Sequence, residues 1–304
     1  MLNKLIAAGR GLIISNPSAK GGGGKTTIEL LLAQALAGLG CRASLFDCDM
    51  TSPMVGAYKN MQVSSADKNL QGILSGRFQP RDIFVRRGGI DYVLGAEANN
   101  IQSADNNAAY LNPLLAAVSD VSVNYQYTFL DLSAGNYLYT RRPALISDVL
   151  LPVIPAINEQ VLSNTFVQLK TIFSVYDRTG ALEFFPEIIL VVNKNRRTLF
   201  SAGLTAGEVS RRFEEGARVN GWYEKMERNH LLAGAVDLPY EKKLDLFLQT
   251  DAAPRKFRRP LERLAEILLG IPAPAITAQE RYARLIVRDT RTESPARRSR
   301  GGGR

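Results

Sequence analysis

Eight consecutive residues, Lys20-Gly21-Gly22-Gly23-Gly24-Lys25-Thr26-Thr27, constrain this chain more than any other stretch. Adjoining glycines reach backbone dihedrals that a side chain forbids, so successive N–H groups can turn inward on one anion. In front of them Leu12-Ile13-Ile14 reads as a short buried strand. Behind them Ile28 to Leu39 reads as a Leu/Ala-rich helix opened by Thr27, and a helix N-terminus favours the same anion. Strand, glycine loop and helix together are the setting of a phosphate-binding loop; a flexible linker would lack both flanks. Lys25 then reaches the β/γ-phosphates of a nucleotide, and the Thr26 hydroxyl ligates the Mg²⁺ that bridges them. Ala19 stands where the general pattern G-x-x-x-x-G-K-[ST] has its first glycine, whereas the variant K-G-G-x-G-K-T, with the additional Lys20, is met in full.

The rest of the chain reads as short apolar runs alternating with amphipathic stretches. Strands are expected at Leu12–Ser15, Ala43–Phe46, Ile90–Leu94, Tyr127–Leu130, Asp148–Ile154, Glu187–Val192 and Leu231–Val236. The clearest helices are Ile28–Leu39, Glu159–Val175, Glu208–Glu215 and Pro260–Leu269. Near-continuously apolar strands joined by long connections indicate an α/β fold: a doubly wound, mostly parallel sheet with helices on both faces. This domain is expected over residues 1–270, and a basic tail, partly helical to disordered, over 271–304. With 304 residues, 45% of them hydrophobic, the chain can bury a full core. No apolar run approaches the roughly 18–20 residues that span a bilayer. Val149 to Ile157 comes nearest and is broken by Pro152 and Pro155. No secretory signal is read at the N-terminus. Cys41 and Cys48 give neither a disulfide framework nor metal spacing. A cytoplasmic protein is the expectation.

Several strands end on a polar or acidic residue: Asp47, Asp131 and Asn193. In open α/β sheets the ligand lies beyond the carboxyl ends of the strands, so these residues should converge on the glycine loop. Asp131, after Tyr127-Thr128-Phe129-Leu130, has the form of a Walker B aspartate. An Asp at a strand end beside Thr26 suits Mg²⁺, which takes one or two carboxylates plus phosphate oxygens. Of the pair Asp47 and Asp49, Asp49 is the better situated to orient an attacking water.

Lys20 to Thr27, Asp47-Cys48-Asp49 and Asp131-Leu132-Ser133-Ala134-Gly135 together resemble the ParA/MinD family of dimerising P-loop ATPases. Leu70 to Gly76, Gly89 to Ala96, Val191-Val192-Asn193 and Leu238-Pro239-Tyr240 resemble later parts of the same family, so the likeness covers roughly residues 10–270. It implies ATP and Mg²⁺ as cofactors, with Gly21, Gly22, Gly23, Gly24, Lys25, Thr26 and Thr27 around the phosphates. Lys20 would reach the phosphates of the partner subunit in an ATP-bound homodimer, an arginine-finger role performed by lysine. Asp131 and Thr26 would hold the Mg²⁺ and its waters, Asp47 would support the metal or the switch region, and Asp49 would position the hydrolytic water. Asn193 and Pro239 would contact the base. Met50-Thr51-Ser52-Pro53 departs from the Pro-Gln-Gly form of partition ATPases, and Ser133-Ala134-Gly135 leans towards MinD-like and flagellar-positioning members.

The charge is uneven. Residues 254–304 carry 13 Lys/Arg against 5 Asp/Glu, a net of +8 within a whole-chain charge of +9. Such an end suits a polyanion, either nucleic acid or an acidic membrane. Arg255-Lys256-Phe257-Arg258-Arg259 and the helically spaced Arg281, Arg284 and Arg288 are the candidates. The apolar side of that second stretch, Tyr282, Leu285 and Ile286, is modest, which favours non-specific DNA over membrane. The expected function is an ATP-dependent dimeric switch that positions or partitions DNA or a cargo and needs an activating partner protein. A MinD-like membrane-associated ATPase and an assembly ATPase for pili, flagella or secretion stay open. An iron–sulfur reductase would need cysteines after Asp131, and a tyrosine kinase would need a tyrosine cluster in the tail. Trp222, His230, Tyr125 and Tyr127 read as structural. Arg196-Arg197 reads equally as a base-side or DNA-facing patch and as a solvated loop.

Overall fold

Alternate residues of each strand enter two different cores, and this arrangement sets the architecture. Leu12 and Ile14 face one layer and Ile13 the other; Ala43 and Leu45 oppose Phe46, and Tyr127 and Phe129 oppose Leu130. In a strand, side chains alternate between faces, so apolar residues at every position demand cover on both sides. The computed structural model describes residues 11–61, 68–96, 111–156, 159–195, 204–241, 253–272, 280, 281 and 283.

The strands are β1 (Leu12–Ser15), β2 (Ala43–Cys48), β3 (Val85–Arg87), β4 (Ile90–Val93), β5 (Tyr127–Leu132), β6 (Val149–Leu150), β7 (Val153–Pro155), β8 (Glu187–Asn195) and β9 (Leu232–Pro239). They form one sheet in the order β3-β4-β2-β5-β1-β6-β8-β7, with β9 also paired to β8. Every pairing is parallel except β3 with β4. The helices are α1 (Lys25–Gly38), α2 (Val55–Lys59), α3 (Leu70–Leu74), α4 (Pro80–Ile83), α5 (Asn112–Ser122), α6 (Leu138–Ile146), α7 (Glu159–Arg178), α8 (Ala206–Val219), α9 (Tyr223–Arg228) and α10 (Arg258–Gly270). Helices α1 and α10 cover one face of the sheet; α5, α7 and α8 cover the other. The expected doubly wound fold is therefore present.

Two local differences have simple causes. The expected strand Asp148–Ile154 is divided into β6 and β7, because Pro152 has no N–H to donate and contributes only its carbonyl, to Val191 N at 3.1 Å. The antiparallel β3 was not expected. It is joined to β4 by Gly88 and Gly89, both at positive φ (56° and 79°), the requirement of a two-residue hairpin whose twist matches its strands. Trp222 lies buried among Phe166, Phe173 and Phe213, and Cys41 and Cys48 are buried free thiols, in line with their structural reading.

Arg281 behaves differently from a surface cation. It is 6% exposed and donates from Nη1 to the Ile146 and Ser147 carbonyls and from Nη2 to Asp148 Oδ1 at 2.6 Å. The other Asp148 oxygen accepts from Ile13 N at 2.8 Å, so a C-terminal residue is tied to the starts of β1 and β6. Burial pushes the Asp148 carboxyl up, and Arg281 opposes that rise. Arg281 is thereby withdrawn from the proposed basic stripe; Tyr282, Arg284, Leu285, Ile286, Arg288 and Arg196-Arg197 lie outside the described residues. Removing one partner of a buried pair leaves an uncompensated charge. Arg281→Ala should cost about 3–5 kcal/mol in denaturant unfolding. Adding Asp148→Asn should restore much of that loss; an unchanged midpoint for Arg281→Ala would refute the latch.

Candidate nucleotide-binding site

The loop between β1 and α1 opens at the carboxyl ends of β1, β2, β5 and β8, and the sequence-predicted residues gather there. Gly22 and Gly24 sit at φ 75° and 93°, a region that favours glycine. Gly24 precedes α1 with no side chain capping the first turn, so its N–H groups remain available to an anion. The adjoining cleft, of about 590 Å³, is lined among others by Gly21, Gly22, Lys25, Thr26, Asp49 and Pro239. That volume is of the size usual for small-ligand pockets. Lys25 is buried, and α1 begins at Lys25 rather than at Thr27. Lys20 is exposed and is not among the lining residues.

Asp131 is 1% exposed at the end of β5. Its Oδ1 accepts from Asn16 Nδ2 at 2.9 Å, and Asn16 Oδ1 accepts from Leu132 N at 2.8 Å. Burial raises the Asp131 carboxyl, while the Thr26 hydroxyl, the Asn16 amide and the Lys25 charge pull it back. Among the described residues Asp131 Oδ2 is buried without a hydrogen-bond partner. An unpartnered carboxylate oxygen beside the Thr26 hydroxyl is the oxygen donor set that Mg²⁺ takes, so these residues fit the expected metal.

Asp47 and Asp49 have separate tasks. Asp47 is fully buried, and its two oxygens accept from Asp49 N at 3.3 Å and Val55 N at 3.0 Å. Of the two roles expected of it, metal support and switch support, all its hydrogen bonds serve the loop between β2 and α2. Asp49 accepts on Oδ1 from Thr51 N, Thr51 Oγ1, Ser52 N and Ser133 Oγ, the last at 2.7 Å, while Oδ2 takes none of these bonds. Ser133 Oγ also accepts from Met50 N at 3.0 Å, so it fastens the segment after β2 to the segment after β5. Gly135 extends that fastening. Its N–H donates to Ser18 O at 3.0 Å, and its carbonyl accepts from Gln168 of α7 at 2.9 Å.

At the far end of the cleft Asn193 donates from Nδ2 to Gly23 O at 2.8 Å, and its Oδ1 accepts from Lys194 N at 2.8 Å. Each half of the amide makes one bond within the protein, so Asn193 ties the end of β8 to the glycine loop while it lines the cleft. Pro239, Tyr240 and Glu241 line that end, and Lys256 holds them through the Tyr240 carbonyl and a 2.9 Å ion pair with Glu241. Lys256, counted from sequence among the free basic residues, is thus anchored at the cleft wall.

Asn16, Ser133, Lys194 and Glu29 were not anticipated. Asn16 follows β1 directly, and Ser133 stands two residues beyond Asp131, which are the signals a reading of strand ends could have used. Glu29 carries no such signal within Thr27-Ile28-Glu29-Leu30. It is fully buried with neither oxygen partnered among the described residues, and burial, then repulsion from Asp131 and Asp47, raises its carboxyl well above the usual range against the pull of Lys25. Among the described residues no group of three or more His, Cys, Asp or Glu could hold a metal, and no helix is long and apolar enough to cross a membrane.

Fold and cleft define a P-loop nucleotide-binding α/β protein. The family model described as the CobQ/CobB/MinD/ParA nucleotide binding domain matches residues 14–229, more than half of the chain, and the chain belongs to that family. Antiactivator FleN of Pseudomonas aeruginosa is 31% identical over 129 residues, 40% of this chain and 43% of that protein. An uncharacterized ATP-binding protein of Methanocaldococcus jannaschii is 31% identical over 144 residues, 47% of this chain and 52% of its own. The matches thus span about half the length of these curated relatives. Among solved structures, an ATP complex of a Cyanothece McdA variant superposes with TM-score 0.69 at 15% identity, covering 86% of this chain and 98% of that one. MinD of Pyrococcus horikoshii complexed with Mg-ADP gives 0.61 at 17%, covering 84% and 94%. At those identities the structural likeness establishes the fold.

Glu29 yields a pH test. Its raised carboxyl binds a proton in the folded state that the unfolded chain releases near the ordinary carboxylate range. Stability from this group is present below the unfolded pKa and is lost as pH rises towards the folded one. Glu29→Gln removes that loss, so the variant should gain in Tm over the wild type progressively from acid to neutral pH. Parallel Tm curves would show that the carboxylate is compensated in the fold.

Proposed function

We propose that this chain is a slow, Mg²⁺-dependent ATP hydrolase that dimerises with ATP bound and uses the cycle to position or partition DNA or a cellular cargo. One observation carries the reading: Asp49 lines the cleft with the loop and Lys25, and its four hydrogen bonds among the described residues all go to one oxygen, Oδ1. A carboxylate held that way keeps its second oxygen aimed, ready to orient a water and accept its proton. Lys25 and the first turn of α1 hold the phosphates, and Thr26 and Asp131 hold the Mg²⁺, which when bound offsets phosphate charge. Lys20, exposed and outside its own cleft, is free to reach the nucleotide of a second subunit. Two polyphosphates near one interface repel, and a lysine from each side offsets that only while the γ-phosphate is there. Nucleotide state and dimer state then change together. An activating partner protein would act on the segments that Ser133 joins. Family membership and the likeness to the solved relatives McdA and the septum site-determining protein MinD favour positioning.

The surface we favour is non-specific DNA at the nucleoid of a cytoplasmic protein, contacted through Arg255, Arg258 and Arg259, which are exposed where α10 begins. A flagellar-positioning or MinD-like role at a membrane is the second reading, carried by the 31% identity to the antiactivator FleN.

Asp49→Ala should bind ATP as the wild type does, hydrolyse it at least tenfold more slowly and stay dimeric. Lys20→Ala should bind ATP as a monomer and fail to dimerise. Nucleotide titration, phosphate release and light scattering with a slowly hydrolysed analogue check both. Lost ATP binding in the first variant, or normal dimers in the second, would overturn the roles.

Random-sequence duplex should bind the ATP-loaded protein with an affinity that falls steeply with salt, because phosphate contacts release counterions. Neutralising Arg255, Arg258 and Arg259 together should flatten that slope, while Lys256 and Arg281 stay intact to preserve the cleft wall and the fold. Binding to anionic liposomes but not to duplex, lost in the same triple variant, would favour the membrane reading.

A further inference from the structure

The contacts of Asn193 and Lys194 with the glycine loop assign these two residues a task of their own. Lys194 Nζ donates to the Gly22 carbonyl at 2.7 Å, and Asn193 Nδ2 donates to the next carbonyl, Gly23, at 2.8 Å. The pair is itself fixed, since Lys194 N donates to Asn193 Oδ1 at 2.8 Å. A peptide unit is planar, and its C=O and N–H point in opposite directions. Two consecutive carbonyls drawn to the end of β8 therefore turn the N–H groups of Gly23 and Gly24 away from β8. Those N–H groups lead into the uncapped first turn of α1. Without side chains, glycines sample many orientations, and an unbraced loop would have to order itself as the phosphates arrive.

We propose that Asn193 and Lys194 are positioning residues that hold the Gly22 and Gly23 peptides ready for a polyphosphate. Two features support a purpose-built contact. Gly24 lies so close to Asn193 that an added Cβ would fall 2.3 Å from Nδ2. Lys194 adopts φ 59°, where glycine is the comfortable residue, so the backbone accepts strain at the one position that carries the amine. Because the ligand of the cleft is a polyphosphate under the function proposed above, this inference rests in part on that reading; the experiment separates the two.

Lys194→Gly is the informative variant, because it removes the amine while relieving the backbone. Hydrogen exchange of the ligand-free full-length protein should be faster in the peptide covering residues 18–27, by about tenfold, the loss expected for one hydrogen bond from a charged donor. Tm should be unchanged or higher, and exchange in β1 and β5 unaltered. Affinities for magnesium tripolyphosphate and for ATP should fall together by a similar factor, with the preference for ATP over GTP unchanged. Lys194→Arg should restore both readouts. Unaltered exchange in the loop would overturn the proposal whatever ligand the cleft takes, since that arm uses no nucleotide. A changed ATP/GTP preference with tripolyphosphate binding intact would instead make Lys194 a reader of the base. A wild type that binds tripolyphosphate but not ATP would refute the ATP reading and leave the positioning role standing on the exchange result.

Discussion

Three carboxylates, Glu29, Asp47 and Asp131, are buried side by side under a loop shaped for phosphate, and the surrounding structure answers that concentration of negative charge. Each carboxyl is raised first by burial, and repulsion from neighbouring acids adds to it. Lys25, the Asn16 amide, the Thr26 hydroxyl and the backbone N–H groups of Asp49 and Val55 oppose the rise. Buried ionised groups are costly unless paired and hydrogen-bonded, so these partners are conditions for the site to exist at all. Under the proposed function a cation held beside Asp131 Oδ2 would offset that repulsion.

Mechanical linkage follows from the same few residues. The segments after β2 and β5 are separate in sequence, and Ser133 joins them by accepting from Met50 and donating to Asp49. Gly135 then couples the second segment to the phosphate loop at Ser18 and to α7 at Gln168. A displacement at Asp49 thus has a hydrogen-bonded route to a long helix on the opposite face of the sheet. The Pro239 end of the cleft is joined separately to the turn just before α10, through Lys256.

Legibility in the sequence tracked the distance between partners. The glycine loop, Asp49 and Asp131 stand in short local patterns, and the sheet followed from apolar runs of strand length, so both could be read directly. What was missed depends on residues far apart: Asn16 with Asp131 across 115 positions, Ser133 with Asp49 across 84, Lys194 with Gly22 across 172 and Arg281 with Asp148 across 133. No window of sequence contains both members of such a pair. Arg281 shows the cost of that blindness, since helical spacing made it part of a surface stripe while its partner Asp148 lay just ahead of β6. Asn193 was found by its strand end, yet which way its amide points is a tertiary fact. The β3 hairpin had a local signal in Gly88-Gly89, outweighed by an arginine-rich strand only three residues long.

That small hairpin bears on life at high local concentration. A protein that gathers densely on a surface brings its sheet margins close to those of its neighbours, and an open strand edge is a template for pairing between molecules. On this margin the edge strand is Val85-Arg86-Arg87, short, reversed in direction and carrying two guanidinium groups. Arg86 reaches Asp91 at 3.7 Å and Arg87 donates to the Lys59 carbonyl, so both guanidinium groups are held by this same margin. Among the described residues, a strand of three residues gives a neighbouring sheet only a short run of backbone to pair with, and self-association along this edge has little to build on.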